Sequence, residues 1–330
     1  MDRQELDKKI VILMPVYNDW DSAKELIVKI DSCIRNTTFQ FSLLIVNDGS
    51  TVPFPDNLVD SSLDSIMNIH LLYLRRNLGH QRAIAVALTY IFQSYPCKAI
   101  IVMDADGEDR PEDILSLVNL CSENNFSKII FAERSRRIEN LFFIFFYRCY
   151  QALHRILTGY SIRVGNFSII PFIFLSPLVV SSDLWNHYAA SVFRLKIPYS
   201  MRPTSRGKRI SGTSKMSFVS LVIHGLSAIS VYGEIVGTRV LFAAFAINAL
   251  LFVMLILIFF IRFFTVFAVP GWATYSSGIL IIIFLQILAT TIGFLFFILN
   301  GRNSIAFIPL RDYSFFIQKT DHIFSSDENP

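Results

Sequence analysis

The chain has 330 residues, a formal net charge of +4 and a hydrophobic fraction of 53%, with 31 phenylalanines. Such a composition is too apolar for an ordinary soluble domain and indicates contact with a lipid bilayer. The modest positive charge suits an anionic membrane surface, and the absence of a basic tract interleaved with aromatic residues argues against nucleic acid as a partner.

Five apolar segments predict buried β-strands in the first part of the chain. They begin at Lys9, Phe41, Ile69, Lys98 and Lys128. The first, third and fourth are each followed by a segment with the apolar spacing of a helix. Strands that alternate with helices in this way predict a mostly parallel, Rossmann-like α/β sheet.

Polar stretches follow the predicted strands, and they read YND, NDGS, RNLGHQ and DADGED. Ligands of such sheets collect at the carboxyl ends of the strands, so we expect these stretches to form a binding site. The first strand is followed by no Gly-x-Gly-x-x-Gly turn, and the chain has no Gly-x-x-x-x-Gly-Lys-Ser/Thr loop. A dinucleotide fingerprint and a P-loop are therefore not expected.

The acidic stretch after the fourth strand predicts a metal site. Glu112 and Asp113 follow Pro111 and are explained by the start of a helix. Asp104 and Asp106 come directly after a buried strand, where carboxylates repel each other unless a cation lies between them. A divalent cation with oxygen ligands, such as Mg²⁺, would also bind the oxygens of a diphosphate.

Residues 141–158 predict an amphipathic helix at the membrane interface, since basic and aromatic side chains fall mostly on different faces. Arg136 and Arg137 precede it and are candidates to contact anionic head groups or an acceptor phosphate. Residues 216–237 predict a second interfacial helix; an ordinary core helix remains an alternative for both. Residues 168–180 are apolar but too short to span, and the sequence leaves open whether they are buried or dip into the membrane.

A basic segment near residue 210 predicts an anion-binding loop. Arg206, Arg209 and Lys215 are interleaved with Gly212 and Ser214. Guanidinium and ammonium groups on a mobile Gly- and Ser-containing loop can close over a diphosphate. A basic loop that merely lies near the membrane would have the same charge, but it would not require this spacing of Gly and Ser.

Two stretches predict transmembrane helices. Residues 240–261 and 278–299 each contain 22 residues without a charge, or about 33 Å of helix. We expect a two-helix anchor over 238–300 and a cytoplasmic tail over 301–330. Positive charge is concentrated before the first span and after the second, which predicts that the residues before the first span and both termini are cytoplasmic.

The combination of PVYND, VNDGST, RNLGHQRA, the Asp-x-Asp of Asp104 and Asp106, and RGKRISGTSKM resembles family-2 glycosyltransferases of the GT-A fold. It is similar to their polyprenyl-phosphate branch, which includes dolichyl-phosphate mannose synthases and undecaprenyl-phosphate glucosyltransferases. The resemblance implies a cytoplasmic GT-A catalytic domain over 1–215 in a protein that is integral to the cell membrane. It also implies inverting transfer of one sugar from a nucleotide-diphosphate sugar to a polyprenyl phosphate, with Mg²⁺ or Mn²⁺ as cofactor.

The resemblance also assigns roles to individual residues. It implies catalytic roles for Asp106, Arg209 and Lys215, and a metal site at Asp104, Asp106 and Glu108. The residues implied in substrate binding are Pro15, Tyr17, Asn18, Asp19, Asp48, Asp104, Asn166, Arg206 and Ser214. Asp48 would contact the base or ribose of the nucleotide.

The sequence departs from the family pattern at Asn166, where the family usually has Asp. Asn cannot act as a general base, and a hydroxyl acceptor must lose its proton during attack. A lipid phosphate, with a second pKa of about 6, is already anionic at neutral pH. Asn166 therefore favours a phosphate acceptor. Asp19 stands where the family usually has Glu, and Glu108 stands where it often has Gln.

Three alternatives remain at this stage: a processive transferase, a hydroxyl-directed membrane transferase, and a non-catalytic membrane subunit that binds a nucleotide sugar. A homo-oligomer and a flippase partner are both compatible with the predicted organisation.

Overall fold

A computed structural model describes residues 6–35, 37–55, 58–59, 63–134, 141–160, 164–211, 225–267, 269–303 and 307–326. The chain divides into two compact units. The first lies within Met1–Gln151, Ser161–Val231 and Phe307–Pro330, and the second within Ala152–Tyr160 and Tyr232–Ala306.

The first unit is built on an eight-stranded sheet in the order β7-β5-β6-β4-β1-β2-β3-β8. Its strands are β1 (Lys9–Val16), β2 (Gln40–Asn47), β3 (Ile66–Leu74), β4 (Ala99–Val102), β5 (Ile129–Arg134), β6 (Val164–Pro171), β7 (Tyr199–Thr204) and β8 (Ile317–Ser325). The pairs β1–β2, β1–β4, β2–β3 and β5–β7 are parallel, whereas β6 and β8 pair antiparallel with their neighbours. The predicted mostly parallel α/β sheet and its five strands are confirmed.

Helices cover both faces of this sheet. They are α1 (Trp20–Cys33), α2 (His80–Ser94), α3 (Ile114–Glu123), α5 (Leu175–Val179) and α6 (Tyr188–Arg194); a further helix, α4 (Leu141–Thr158), begins in the first unit and ends in the second. Side chains of a strand alternate between faces, so Ile10 and Ile12 of β1 join one core cluster, whereas Val11 and Leu13 join the other. The first core contains residues of α1 and α3, and the second contains residues of α2, α5 and α6.

Residues 168–180, whose location the sequence left open, belong to the core of the first unit. Ser168 to Pro171 complete β6, which lies between β4 and β5. Leu175, Leu178 and Val179 of α5 are also buried. This segment is therefore a central strand and a short core helix, which explains why it is apolar without being long enough to span a membrane.

The C-terminal residues add a strand to the sheet, which the sequence analysis did not predict. They form the short helix α9 (Pro309–Asp312) and β8, which pairs antiparallel with β3. β8 is an edge strand with charged, exposed residues such as Lys319, and edge strands of this kind lack the continuous apolar pattern of buried strands. Its pairing partner lies far away in sequence, so the local pattern indicates only a polar tail.

The second unit contains α7 (Gly233–Phe264) and α8 (Trp272–Asn303), which enclose both predicted spans. Each is long and apolar enough to cross a membrane, and at most 6% of the most apolar window is buried. Core helices of a soluble protein would be mostly buried. A Cβ at Gly237 of α7 would lie 2.6 Å from Cδ1 of Ile298 of α8, so a small residue permits the close helix contact that is common between membrane spans.

The first predicted interfacial helix is present with the expected bounds as α4, and the side chains of Arg148, Leu153, Arg155 and Ile156 are exposed. Their position at a membrane surface stays a prediction. Of the second predicted interfacial helix, 216–224 lies outside the described residues, 225–230 is helical, and α7 begins at Gly233.

Candidate active site

The loops after β1 and β2 are joined by the side chain of Asn18. Its backbone has a positive φ of 52°, a conformation that Asn tolerates better than most residues. Its Oδ1 accepts hydrogen bonds from the backbone N–H groups of Thr51 (2.8 Å) and Val52 (3.0 Å). This predicted substrate residue therefore orders the two loops that line one end of the site.

Two further residues of this segment that were predicted to bind substrate, Pro15 and Tyr17, differ in exposure, and Pro15 is buried. Pro15 lies within β1, opposite Val46 of β2. Tyr17 is 42% exposed, so its ring is accessible for stacking on a ligand.

Asp48 lies at the end of β2 and holds the loop after β3. Its Oδ1 accepts from the backbone N–H of Leu78 (2.7 Å) and its Oδ2 from that of Gly79 (3.0 Å). Burial raises the pKa of Asp48 to about 6, although these two donors act to lower it. Gly49 has a φ of 64°, and a Cβ there would lie 2.3 Å from the backbone N of Asn77, so only glycine fits this approach.

The loop after β4 is held in a tight turn by its own acidic side chains. The N–H of Glu108 donates to Oδ1 of Asp106 (3.0 Å), and the N–H of Asp104 donates to Oδ2 of Asp109 (3.0 Å). Gly107, between Asp106 and Glu108, has a φ of 80°. The turn places Asp104 and Asp106 at the carboxyl edge of the sheet with about a fifth of each side chain exposed.

The basic segment after β7 packs directly on this acidic loop. The guanidinium of Arg209 donates to Oδ2 of Asp106 (3.2 Å) and to the carboxylate of Asp19. Arg206 forms an ion pair with Glu108. The structure thus brings together two motifs that are about a hundred residues apart in sequence.

Backbone contacts fix the same arrangement. The N–H of Ile210 donates to the carbonyl of Asp106 (3.0 Å), and that of Gly207 donates to the carbonyl of Glu108 (2.9 Å). A Cβ at Gly207 would lie 2.4 Å from the carbonyl oxygen of Gly107, so the close approach requires a glycine. These backbone contacts keep Arg206 and Arg209 beside the carboxylates of the acidic loop, whose negative charges would otherwise repel one another.

Two residues of α2, His80 and Gln81, belong to the site but were given no role by the sequence analysis. His80 Nε2 lies 3.0 Å from Oδ1 of Asp104 and 2.8 Å from Nδ2 of Asn166. Burial acts to lower the pKa of His80, but the negative charge of Asp104 and its hydrogen bond, with smaller effects of Asp109 and Asp48, raise it overall. The only sequence signal was the position of both residues in RNLGHQ, directly after a predicted strand.

Asn166 is held by a buried hydrogen-bond chain. Its Oδ1 accepts from Nε2 of Gln81 (2.9 Å), and Oε1 of Gln81 accepts from the backbone N–H of Tyr188 (2.8 Å). This chain fixes the amide of Asn166 beside His80, where the family pattern would place a carboxylate. The remaining predicted site residues, Arg136, Arg137, Ser214 and Lys215, lie outside the described residues.

The donor set at the end of β4 fits a divalent cation in part. Asp104 and Asp106 offer the oxygen ligands that Mg²⁺ and Mn²⁺ prefer. Within the described parts of the chain, however, no group of three His, Cys, Asp or Glu side chains is arranged to hold a metal ion, and Glu108 is paired with Arg206. A cation at the two aspartates would complete its coordination with oxygens of a diphosphate and water.

The first unit is an α/β domain with a polar site of acidic and basic side chains at the carboxyl edge of its sheet. Residues 11–172 match the family model Glycosyl transferase family 2. This part of the chain therefore forms a domain that is similar to glycosyl transferase family 2.

Two relatives share a printed name, undecaprenyl-phosphate 4-deoxy-4-formamido-L-arabinose transferase. The protein of Salmonella choleraesuis (strain SC-B67) is 24% identical over 219 residues, which are 65% of this chain and 64% of the relative. That of Yersinia pestis (strain Pestoides F) is 30% identical over 142 residues, 43% of this chain and 42% of the relative. The chain thus matches less than two thirds of the length of these relatives.

A solved structure with a partial overlap is glucosyl-3-phosphoglycerate synthase from Mycobacterium tuberculosis, crystallised with Mn²⁺, UDP-glucose and phosphoglyceric acid. The superposition covers 70% of this chain and 80% of the synthase chain, with 13% sequence identity and a TM-score of 0.48.

Proposed function

We propose that this protein transfers a single sugar from a nucleotide-diphosphate sugar to a polyprenyl phosphate at the membrane surface, with inversion and with Mg²⁺ or Mn²⁺. The observation that carries the proposal is the contact of Arg209 with Asp106 and Asp19 at the carboxyl edge of the sheet. It joins a carboxylate that can hold a cation to a guanidinium that can bind a diphosphate. The family-2 domain and the printed names of the relatives support the same reaction.

The donor half of the reaction follows from this arrangement. The bond from the anomeric carbon to the diphosphate breaks, and the nucleoside diphosphate leaves with the electron pair. A cation held by Asp104 and Asp106 would neutralise part of the charge on the diphosphate. Arg206 and Arg209 would exchange carboxylate partners for diphosphate oxygens, which a planar guanidinium can bind through two parallel hydrogen bonds.

The acceptor half requires no general base. An oxygen of the lipid phosphate attacks the anomeric carbon from the face opposite the diphosphate, and this oxygen is already ionised at neutral pH. The amide of Asn166, fixed by Gln81, cannot accept a proton. Asn166 is therefore suited to orient an acceptor or donor group rather than to activate it.

The chain connectivity supports a location of both termini on one side of the membrane. α7 and α8 follow the first unit at Val231, and the chain rejoins that unit at Phe307. Two crossings return the chain to the side from which it left. Because basic residues flank the pair of helices, we infer that this side is cytoplasmic.

A turnover assay tests the proposal against a non-catalytic subunit. Full-length protein in nanodiscs, given Mn²⁺, polyprenyl phosphate and a panel of radiolabelled nucleotide sugars, should convert one of them into a label that extracts into organic solvent. EDTA should abolish this conversion. Binding of a nucleotide sugar without turnover would favour the non-catalytic alternative, and a product with several sugars by mass spectrometry would favour a processive transferase.

Arg209→Lys is expected to lower kcat/KM for the nucleotide sugar about 10- to 100-fold. The substitution keeps the charge but removes the guanidinium fork, and the loss of one charge-assisted hydrogen bond costs on the order of 1.5–3 kcal/mol. Steady-state kinetics measure the effect. The matched control is Lys208→Gln, because Lys208 is the exposed neighbour of Arg209 and its loss should change the rate less than about twofold. Equal rates for Arg209→Lys and wild type would show that this segment contributes only charge.

A further inference from the structure

The C-terminal segment, residues 307–326, lies beyond the part of the chain that matches the family model and follows α8. It contains α9, a 3₁₀ turn at Tyr313–Phe316 and β8, all within the first unit. Without this segment the sheet would still have its seven other strands. Its role beyond covering the edge strand β3 therefore depends on its contacts with the site.

One of these contacts fixes the start of the loop at 75–79. The carbonyl of Phe316 accepts a hydrogen bond from the N–H of Arg75 (2.9 Å), next to the pairing of Leu74 with Ile317. The side chains of Arg75, Arg76 and Asn77 are exposed. A loop with so few buried side chains depends on a small number of contacts for its order.

The same loop forms one wall of the candidate donor site. Asn77 packs against Gly49, and the N–H groups of Leu78 and Gly79 hold the carboxylate of Asp48. A shift of the loop at Arg75 would therefore move the donors on which the position of Asp48 depends.

A second contact reaches the first turn of α2. The ring of Trp185 contacts two rings of the C-terminal segment: its centroid is 5.0 Å from that of Phe316 and 3.9 Å from that of Phe307. The guanidinium of Arg82 lies 5.3 Å from the Trp185 centroid, within the range of a cation–π interaction. Arg82 belongs to the turn that carries His80, the residue that contacts Asp104.

We propose that the C-terminal segment is a positioning element for the donor site, acting through Phe316. The carbonyl of Phe316 holds the loop at 75–79, and its ring supports Trp185, which supports the first turn of α2. The segment thereby fixes Asp48 and His80 from opposite ends of one continuous stretch, 75–82. This inference rests on the proposed function only in identifying the ligand of the site as a nucleotide diphosphate.

Phe315 and Phe316 provide a matched pair for the test. Phe315 is 73% exposed, whereas Phe316 is partly buried against the core. In full-length protein, Phe316→Ala should accelerate hydrogen–deuterium exchange in peptides covering 75–82 about tenfold, while exchange in β1 and β4 stays at the wild-type rate. Phe315→Ala should leave every one of these peptides unchanged, and Phe316→Tyr, which keeps the ring, should restore the wild-type rate.

Nucleotide binding supplies a second measurement. With UDP–Mn²⁺ and GDP–Mn²⁺ as probes, Phe316→Ala should raise the Kd of the bound nucleotide about tenfold, because only a fraction of the molecules would have the site in the binding geometry. The KM for polyprenyl phosphate should not change. If Phe316→Ala fails to fold, Trp185→Leu removes the ring that contacts both Phe316 and Arg82 and should accelerate exchange in the first turn of α2, 80–82, while exchange in β1 and β4 stays at the wild-type rate.

Two results would overturn the positioning role: equal exchange at 75–82 in Phe315→Ala and Phe316→Ala, or faster exchange spread evenly over the sheet. A nucleotide Kd within twofold of wild type in Phe316→Ala would also overturn it. If wild type bound neither nucleotide, the proposed function would lose its support, and the exchange contrast alone would then decide the positioning role.

Discussion

Asp106→Asn should abolish sugar transfer, with a loss of kcat on the order of 1,000-fold or more, in a protein that still folds. The substitution removes a charged ligand for the cation, and removal of a single group that stabilises developing charge can cost several kcal/mol. It also takes away the carboxylate that contacts Arg209 at 3.2 Å. Asp106 is therefore expected to act both as a ligand of the cation and as the partner of Arg209 in the basic segment.

Two measurements separate these effects. Mn²⁺ binding, followed by electron paramagnetic resonance with UDP or GDP present, should weaken in Asp106→Asn but not in Arg209→Lys. The control is Glu112→Gln, since Glu112 lies in the same acidic stretch but is exposed and pairs with Arg110. Full activity of Asp106→Asn, or wild-type turnover that persists in chelator, would contradict a cation at this position.

Local pattern was sufficient to predict the part of the fold that carries the acidic loop. The five apolar segments became β1 to β5, because buried parallel strands are nearly continuous in apolar residues. Asp104 and Asp106 became candidate site residues for a related reason, since charge at the end of a buried strand needs compensation. Arg209 was a candidate from its own motif, but its contact with Asp106 and Asp19 became visible only in the structure.

The rest of the site depends on pairings between distant parts of the chain. The antiparallel strand β6 brings Asn166 beside His80 and Gln81, and no periodicity in either segment indicates this pairing. His80 resembles any polar residue at a helix start until the structure places it 3.0 Å from Asp104. β8 was also missed. It pairs with the distant strand β3, and an edge strand with exposed charges has little apolar signal of its own.

The identity of the acceptor gives the second large expected effect. Full-length protein with Mn²⁺ and its nucleotide sugar should glycosylate a polyprenyl phosphate at least about 100-fold faster than the polyprenol of the same chain length. The alcohol must lose a proton during attack, and a positioned general base is worth about 10²- to 10⁴-fold in rate. Asn166 stands where the family pattern has a carboxylate, and Gln81 and Tyr188 hold its amide in place, so it cannot supply that base.

Because the two lipids have the same prenyl chain, a difference between their rates reports the nucleophile rather than the chain. The product should extract into organic solvent and release its sugar in mild acid, as a glycosyl phosphate does, and its mass should show one sugar per lipid. If the polyprenol reacts as fast as the phosphate, a base other than Asn166 must act, and the argument from Asn166 fails. If neither lipid reacts while a soluble glycan does, the acceptor assignment is wrong, and only the donor chemistry of Asp104, Asp106 and Arg209 remains.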